Sequence, residues 1–437
     1  VYPLYVLLTW LIAPVVMIAE GWKALRHAEY RGRLPQRLGF VEPRVGPGTV
    51  WVHAVSVGEV QAAAGLVRAL QRRYPDRPFV VTTVTPTGAA QARKLFGETV
   101  RLCYLPYDLP GSVRRFLDRT RPDVAIILET EIWPTLYREL GRRGIPLVMA
   151  SARVSERSVS RYRRMAGLFS DTLSHGLLIG AQSEADADRF RAIGAAPERV
   201  SVTGNVKFDM EIPGPVIDAG RELRARLGTG RPVWIAGSTH EGEEEAALAA
   251  HDRLLREQPG ALLILVPRHP QRFEAVRGLL RRRGSRFAQR SLGEEPSATQ
   301  PVFLVDTLGE LQMFYAASDV AFVGGSLVPV GGHNLLEPAA LGLPVLSGPY
   351  TQNAQEIADL LAASGALTIV RDEAELARGL LGLLSSPMLA RETGEKGRRA
   401  VAQSRGAVER LVALVEPLLS PGVCEPRAAV SASSETR

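Results

Sequence analysis

Cysteine is almost missing from this chain. Only Cys103 and Cys424 occur among 437 residues, far apart and in no Cys-x-x-Cys pair. That excludes a disulfide framework and a cysteine zinc site, and it points to a reducing compartment. Aromatic residues make up only 6% of the chain, and they form no ladder between basic clusters. A single-stranded nucleic-acid binder is therefore a poor fit, and no nucleic-acid partner is expected. There is no short internal repeat and no His-rich metal cluster. Charge of one sign is not extreme either: 53 Lys and Arg stand against 46 Asp and Glu, a net +7. Such an excess suits an anionic partner such as a nucleotide, a phospholipid or a phosphorylated glycan without specifying which.

What is present is the composition of a globular protein, 46% hydrophobic and 23% charged, long enough at ~150 residues per domain for two or three domains. One long hydrophobic run stands out. Val1 to Ala19 carries no charge; as a helix rising ~1.5 Å per residue it would reach ~28 Å, about the thickness of a bilayer's hydrocarbon core. Pro14 would kink it. No small-residue cleavage site comes after it, which favours a retained anchor over a removed leader. Lys23, Arg26, Arg31, Arg33 and Arg37 come next, and a basic flank places the rest of the chain on the cytoplasmic side. A short buried helix is the competing reading.

From Thr49 the chain alternates apolar runs with helical segments: TVWVHAV, FVVTTV, VAIIL and PLVMA, then VWIA, ALLILV and VAFVGG after a pause near 211–230. Buried strands each followed by a helix give parallel sheets covered on both faces. The expected organisation is an anchor at 1–22, a Rossmann-like domain at 23–210, a linker at 211–230, a second Rossmann-like domain at 231–425 and a disordered Ser-rich tail at 426–437. Val401 to Leu419 reads as one long helix. Ligands of such folds bind beyond the carboxyl ends of the strands, so two facing sheets predict a cleft with a substrate on each side.

The residues that could carry chemistry come directly after those strands. Glu59 closes HAVSVGE at a helix start, where an ionised carboxylate can take a proton from a hydroxyl; Gly58 would permit a sharp turn, and the alternative is a plain capping acid. Glu129 and Glu131, one residue apart after VAIIL, are both able to face a cleft, or one can cap the next helix. Arg153, after PLVMASA, suits a phosphate or carboxylate. Lys207 in GNVKFD can neutralise developing negative charge. Pro267-Arg268-His269 follows LLILV and offers an anion or base-edge partner, or simply a surface pair. In GGHNLLEPA, Asn334 and Glu337 lie three apart at a helix start behind glycines, an arrangement suited to a phosphate and two ribose hydroxyls, with a capping box as the alternative.

Together these segments resemble the 3-deoxy-D-manno-octulosonic acid (Kdo) transferases of lipid A glycosylation. YRGRLPQRLGF, WVHAVSVGE, TTVTPTG, YLPYD, ILETEIWP, SARVS, GNVKFD, GSTHEGEEE, PRHPQRF, VDTLGEL and GGSLVPVGGHNLLEPAALGLPVLSGP occur in order along nearly the whole chain. VSVGE stands where ASVGE is common in the family, and NLLE where NPLE is common. The resemblance implies the α/β glycosyltransferase-B fold, two Rossmann-like domains facing a cleft with an N-terminal hydrophobic membrane anchor. It implies inverting transfer of Kdo from CMP-Kdo to a lipid A precursor at the bacterial inner membrane, catalytic domains on the cytoplasmic side. Glu59 is then the general base, and Glu129 and Lys207 support the transition state or sugar carboxylate. Ser56, Gly58, Glu131 and Arg153 shape the acceptor and sugar side. Pro267, Arg268, His269, Leu308, Gly309, Glu310, Asn334, Leu335, Leu336 and Glu337 bind the donor's CMP. No cofactor and no metal are expected. A UDP-sugar transferase or epimerase of the same fold, or a non-catalytic membrane-surface binder of nucleotide or glycan, are the alternatives.

Overall fold

The computed structural model describes residues 2–26, 30, 32–154, 158–159 and 177–419. The expected tail at 426–437, Arg31 of the basic flank and Ser155 of SARVS lie outside the described residues. The chain divides into two compact units, one formed by the residues up to Met210 together with those from Arg405 onward, the other by Glu211–Ser404.

In the first unit seven strands form one parallel sheet: β1 (Thr49–His53), β2 (Phe79–Thr83), β3 (Arg101–Tyr104), β4 (Pro122–Leu128), β5 (Leu147–Ala152), β6 (Leu177–Ala181) and β7 (Val200–Val202), in the order β3-β2-β1-β4-β5-β6-β7. The second unit repeats the plan with β8 (Val233–Thr239), β9 (Leu262–Pro267), β10 (Phe287–Gln289), β11 (Val302–Leu304), β12 (Val320–Val323), β13 (Val345–Ser347) and β14 (Leu367–Ile369), ordered β10-β11-β9-β8-β12-β13-β14. β1 is buried along its whole length, as is β8, which is why their VWV and VWIA segments read as continuous apolar runs rather than alternating ones. In each sheet the chain starts centrally, builds outward on one side, and then returns to the other side of its first strand. That reversal opens a crevice at the carboxyl ends of β1 and β4, and another at β8 and β12.

The residue pattern does not predict β7, β10 and β14. Each is three residues long and an edge or near-edge strand, too short to leave a pattern. Two further differences have packing causes. Residues 211–230, expected as a linker, are mostly the helix Gly214–Leu227, whose Leu223 and Leu227 enter the core of the second unit. The expected long helix at 401–419 breaks after Gln403 and restarts at Ala407, and its last part belongs to the first unit. Asp209 makes that restart: its carboxylate accepts from Gly406 N at 2.6 Å and Val408 N at 2.5 Å, satisfying free N–H groups of the new helix. Ala407, Leu411, Val415 and Leu419 recur every fourth residue and pack with Val60, Leu66 and Leu70 on one face of the first sheet.

The N-terminal helix, Tyr2–Arg26, has a mean hydropathy of 1.9 over its most apolar window and no buried residues. Leu7, Leu11, Val15 and Ile18 are exposed. Its polar residues tie it to the first unit near both ends. Tyr5 Oη donates to Asp108 at 2.8 Å, and Arg138 lies over the Tyr2 ring at 4.4 Å. Near the other end Glu20 pairs with Arg33 at 3.6 Å, and Arg33 lies over the Tyr104 ring at 4.5 Å.

Leu411→Ala removes a fully buried side chain from this returning helix and is expected to destabilise the first unit by ~2–5 kcal/mol. Hydrogen exchange on the detergent-solubilised chain should show faster opening in β1 and the helix Val57–Arg73, with β8 and β9 unchanged; equal effects in both units would contradict the assignment of this helix.

Candidate active site

Beyond β1 the chain turns through Ser56 into the helix Val57–Arg73. Ser56 caps that helix: its Oγ accepts from Glu59 N at 3.4 Å and donates to Glu59 Oε1 at 3.0 Å, while Glu59 Oε2 accepts from Val55 N at 2.8 Å. Glu59 is thus a capping acid, and it also lines a pocket. Gly58 has ordinary helical φ and room for a Cβ, with Ser56 Oγ the nearest atom at 4.0 Å. The sharp glycine turn expected there is not required.

β4 delivers the other acids. Glu129 has φ 56°, a left-handed conformation that a non-glycine residue adopts at a cost of about 1–3 kcal/mol. Two contacts hold it there. Its N–H donates to Ala150 O at 2.9 Å, and its Oε1 accepts from Lys207 Nζ at 2.7 Å. Lys207 sits in a short turn, Val206–Asp209, capped by the Asn205 side chain, which accepts from Lys207 N at 3.0 Å. Glu59, Glu129, Thr130, Glu131, Arg153 and Ser158 line one pocket of about 280 Å³. Arg153 is exposed at its rim, and its N–H donates to Thr130 Oγ1 at 3.1 Å. Burial raises the Glu59 pKa, opposed chiefly by the Val55 N–H. Glu131 is pushed up to about 7, by burial first and the Glu59 charge second. The pocket can therefore hold a proton-accepting carboxylate, a carboxyl half-protonated near neutrality and an ion pair, side by side.

A wider hollow, about 550 Å³, lies among Arg44, Arg115, Arg119, Arg121 and Arg143. It is at the amino ends of β4 and β5, away from the sheet edge where ligands bind. Several of its arginines are already engaged: Arg143 with Asp118 at 2.8 Å, Arg119 with Glu42, and Arg115 with Leu38 O at 2.9 Å.

In the second unit Pro267 ends β9 buried, while Arg268 and His269 are exposed; Arg268 N donates to Thr239 O at 3.0 Å. Leu308 is 66% exposed and Gly309 has φ 87°. Glu310 is ion-paired with Arg290 at 2.6 Å and accepts from Thr307 Oγ1 at 2.5 Å, and Arg290 holds its pKa down. Asn334 precedes rather than enters its helix, which is a five-residue turn, Leu336–Ala340. Its Oδ1 accepts from Leu336 N at 3.0 Å, and its side chain also bonds Glu337, whose pKa burial raises. Gln312 Nε2 donates to Glu337 at 3.2 Å. Leu335 and Leu336 are 1% and 2% exposed, so their side chains are core and only their backbone could meet a ligand. One turn of helix carries little dipole; the anion-binding terminus expected here is weaker than the motif implied.

Sequence reasoning missed three groups at this edge. Glu243, 0% exposed, accepts from His240 N at 2.9 Å, Gly325 N at 2.6 Å, Ser326 N at 2.9 Å and Leu327 N at 2.8 Å, and so fixes the loops after β8 and β12 together. His240 and His333 meet beside it. GSTHEGEEE and GGHN both stand out as motifs, but nothing in their spacing shows that the two histidines pair. The Asp-x-Asp spacing at Asp186 and Asp188 is structural: Asp186 accepts from Ser183 Oγ at 2.6 Å and Val154 N at 3.1 Å, and Asp188 pairs with Arg191 at 2.8 Å.

Residues 32–210 match the family described as 3-Deoxy-D-manno-octulosonic-acid transferase (kdotransferase). The 3-deoxy-D-manno-octulosonic acid transferase of Haemophilus influenzae is 40% identical over 422 residues, 96% of this chain and 99% of that one. The Bordetella pertussis transferase is 36% identical over 424 residues, 93% and 97% of the two chains. Among solved structures, a glycosyltransferase from Rickettsia africae superposes with TM-score 0.58 at 12% identity, covering 86% of this chain and all (100%) of that one. A UDP-GlcNAc 2-epimerase from Neisseria meningitidis gives 0.56 at 14%, covering 84% and 100%. At those identities the structures show the glycosyltransferase-B fold alone.

Glu131 also yields a pH signature. Its pKa lies above the ordinary 4.5, at about 7, so the folded chain keeps a proton that the unfolded chain has lost. Its contribution to stability is full below 4.5 and fades as pH rises through about 7. Denaturant titrations between about pH 5 and about pH 8 should show a decline in the first unit's stability that Glu131→Gln flattens; equal slopes would contradict the assignment.

Proposed function

The chain belongs to the 3-deoxy-D-manno-octulosonic acid transferase family, and from that premise we propose that it transfers Kdo from CMP-Kdo to a lipid A precursor in lipopolysaccharide synthesis, with inversion and with Glu59 as general base. The observation that carries this reading is the pocket where Glu59, Glu129 and Glu131 meet while Lys207 pairs with Glu129. Lys207 fixes one acid as an ion pair. Glu59, its two oxygens oriented by the Val55 N–H and the Ser56 hydroxyl, is the acid this reading assigns as the base.

In the proposed reaction the bond from the sugar's anomeric carbon to the phosphate oxygen breaks, and its electron pair leaves on the phosphate. The acceptor oxygen bonds the same carbon from the opposite face, and its proton passes to the Glu59 carboxylate. A single displacement needs one base and no paired nucleophile. Ser56 and the Val55 N–H orient that carboxylate through their hydrogen bonds to its two oxygens. Protonated Glu131 can donate to a sugar or acceptor oxygen. Lys207 supports the sugar carboxylate or the developing charge, and Arg153 at the rim suits an acceptor phosphate. On the donor side Arg268, His269, Asn334 and Glu337 are the polar groups available to CMP, with Pro267, Leu308, Gly309 and Glu310 around them and Leu335 and Leu336 contributing backbone.

The membrane side of the reading rests on the N-terminal helix. Stitched to the first unit near both ends, through Tyr5 and Glu20, it offers its exposed apolar face along its length. This supports a helix lying in the cytoplasmic face of the inner membrane rather than crossing it. An enzyme so held would meet an acceptor embedded in the same leaflet.

Glu59→Gln keeps the capping bonds and removes the base. Transfer to lipid is expected to fall ~10²–10⁴-fold, with CMP affinity essentially unchanged. Sugar incorporation measured by mass spectrometry, beside CMP and UDP competition, checks this; substantial residual transfer, or competition by UDP but not CMP, would overturn it. Leu7→Asp with Leu11→Asp should abolish flotation with anionic vesicles, and unchanged flotation would refute the in-plane anchor.

A further inference from the structure

Three histidines from three loops meet at the carboxyl edge of the second sheet: His240 after β8, His269 after β9 and His333 in the loop after β12. The His240 and His333 ring planes are 13° from parallel with centroids 5.0 Å apart, but their Nε2 atoms are only 2.8 Å apart. Two rings whose nitrogens are so much closer than their centroids meet edge to edge, joined by a hydrogen bond. His269 lies against His240 with centroids at 5.2 Å and planes at 85°.

This contact is built rather than incidental. Gly325 has φ 69°, and a Cβ there would lie 2.8 Å from the His333 ring. The Glu243 carboxylate holds the His240 N–H and the Gly325 N–H at once. The pair sits at the switch point between β8 and β12, where doubly wound sheets bind nucleotides.

A nitrogen-to-nitrogen bond of this length holds one proton. One ring donates and the other accepts, so the two rings cannot both be charged in this arrangement. The charged or titratable groups facing the pair are Arg268 and His269 from the loop after β9, Arg272 from the helix Pro270–Arg282, and Glu243 from the helix Glu243–Glu257. Burial first, then Arg268, holds His333 down at about 4; burial also lowers His240, opposed by Glu243. Half-buried and facing Arg268 and Arg272, the pair is disfavoured from carrying charge.

Resting on the donor reading above, we propose that the His240–His333 pair is a charge-responsive element of the donor site, taking up one proton from solvent when the bound phosphate changes from the donor's singly charged diester to the doubly charged monoester of the released nucleotide. The balance is simple. Bond breaking adds one negative charge to the phosphate, the acceptor's proton goes to Glu59, and the pair gains a third ring proton while keeping the shared one. Nucleotide release then requires that proton to leave, so the spent nucleotide is held more tightly as the pH falls and the donor is not.

The test is calorimetric titration of the full detergent-solubilised chain with CMP and with its methyl ester, in buffers of different ionisation enthalpy. Between about pH 8 and about pH 6.5, CMP should bind with proton uptake rising toward about one per site, and its affinity should steepen toward about tenfold per pH unit; the methyl ester should show neither. His240→Gln and His333→Gln should each still bind CMP but lose the uptake. Binding without uptake, equal uptake with the methyl ester, or uptake that survives both substitutions would overturn the inference. If a variant does not fold, the comparison of CMP with its ester in the unaltered chain decides. Failure to bind CMP or its ester at all would instead overturn the donor reading, and this inference with it.

Discussion

A parallel strand buried on both faces can expose a working side chain only where it stops. That constraint arranges the acids that line the pocket beyond β1 and β4. Both sheets are covered by helices on two sides, and their interior strands are close to purely apolar. Chemistry is therefore displaced to the carboxyl edges, where each chain segment must turn off the sheet within a few residues. Glu129, Ser151 and Ser238, at the ends of β4, β5 and β8, turn with left-handed backbones at φ 56°, 55° and 58°. The strain falls at these positions because the turn that leaves the sheet also aims the side chain.

Negative charge at those edges is handled in graded ways. Glu243 is wholly enclosed and receives four backbone N–H groups. Glu129 receives a lysine. Glu59 receives one N–H and one hydroxyl. Glu131, beside two other acids and with the least compensation, has its pKa pushed furthest, to about 7. A carboxylate given many donors is held as part of the scaffold; one that burial leaves with few keeps its proton to higher pH. The gradient separates the acids that hold loops from those suited to reaction.

The alternation of apolar run and helix was legible in the residues, and so were the positions of Glu59, Glu129, Glu131 and Arg268 just beyond their strands. VAIIL followed by two acids marked a strand end, and both acids line the pocket with Glu59. Other features left no local trace. β7, β10 and β14 are three residues each and take their conformation from a neighbouring strand. The His240–His333 contact joins residues 93 apart. Glu243 looked like one more helix-opening acid, since burial is decided by the loop that folds over it. Gly58 misled in the other direction: it sits where glycine is unnecessary. Leu335 and Leu336 are buried beside the exposed Asn334, because a single helical turn must also bury one side.

The first unit's core is closed by residues that the ribosome delivers after the whole second unit. Ala407, Leu411, Val415 and Leu419 cover a face of a sheet whose other strands end by Val202, whereas the second unit, Glu211–Ser404, is contiguous. During synthesis the later-coded unit has all its parts first, and the earlier one waits with apolar surface uncovered. A stop codon shortly before residue 407 would therefore leave the second unit, Glu211–Ser404, whole and uncover the core of the one carrying Glu59. Loss near the carboxyl terminus would appear biochemically as a defect of the amino-terminal half.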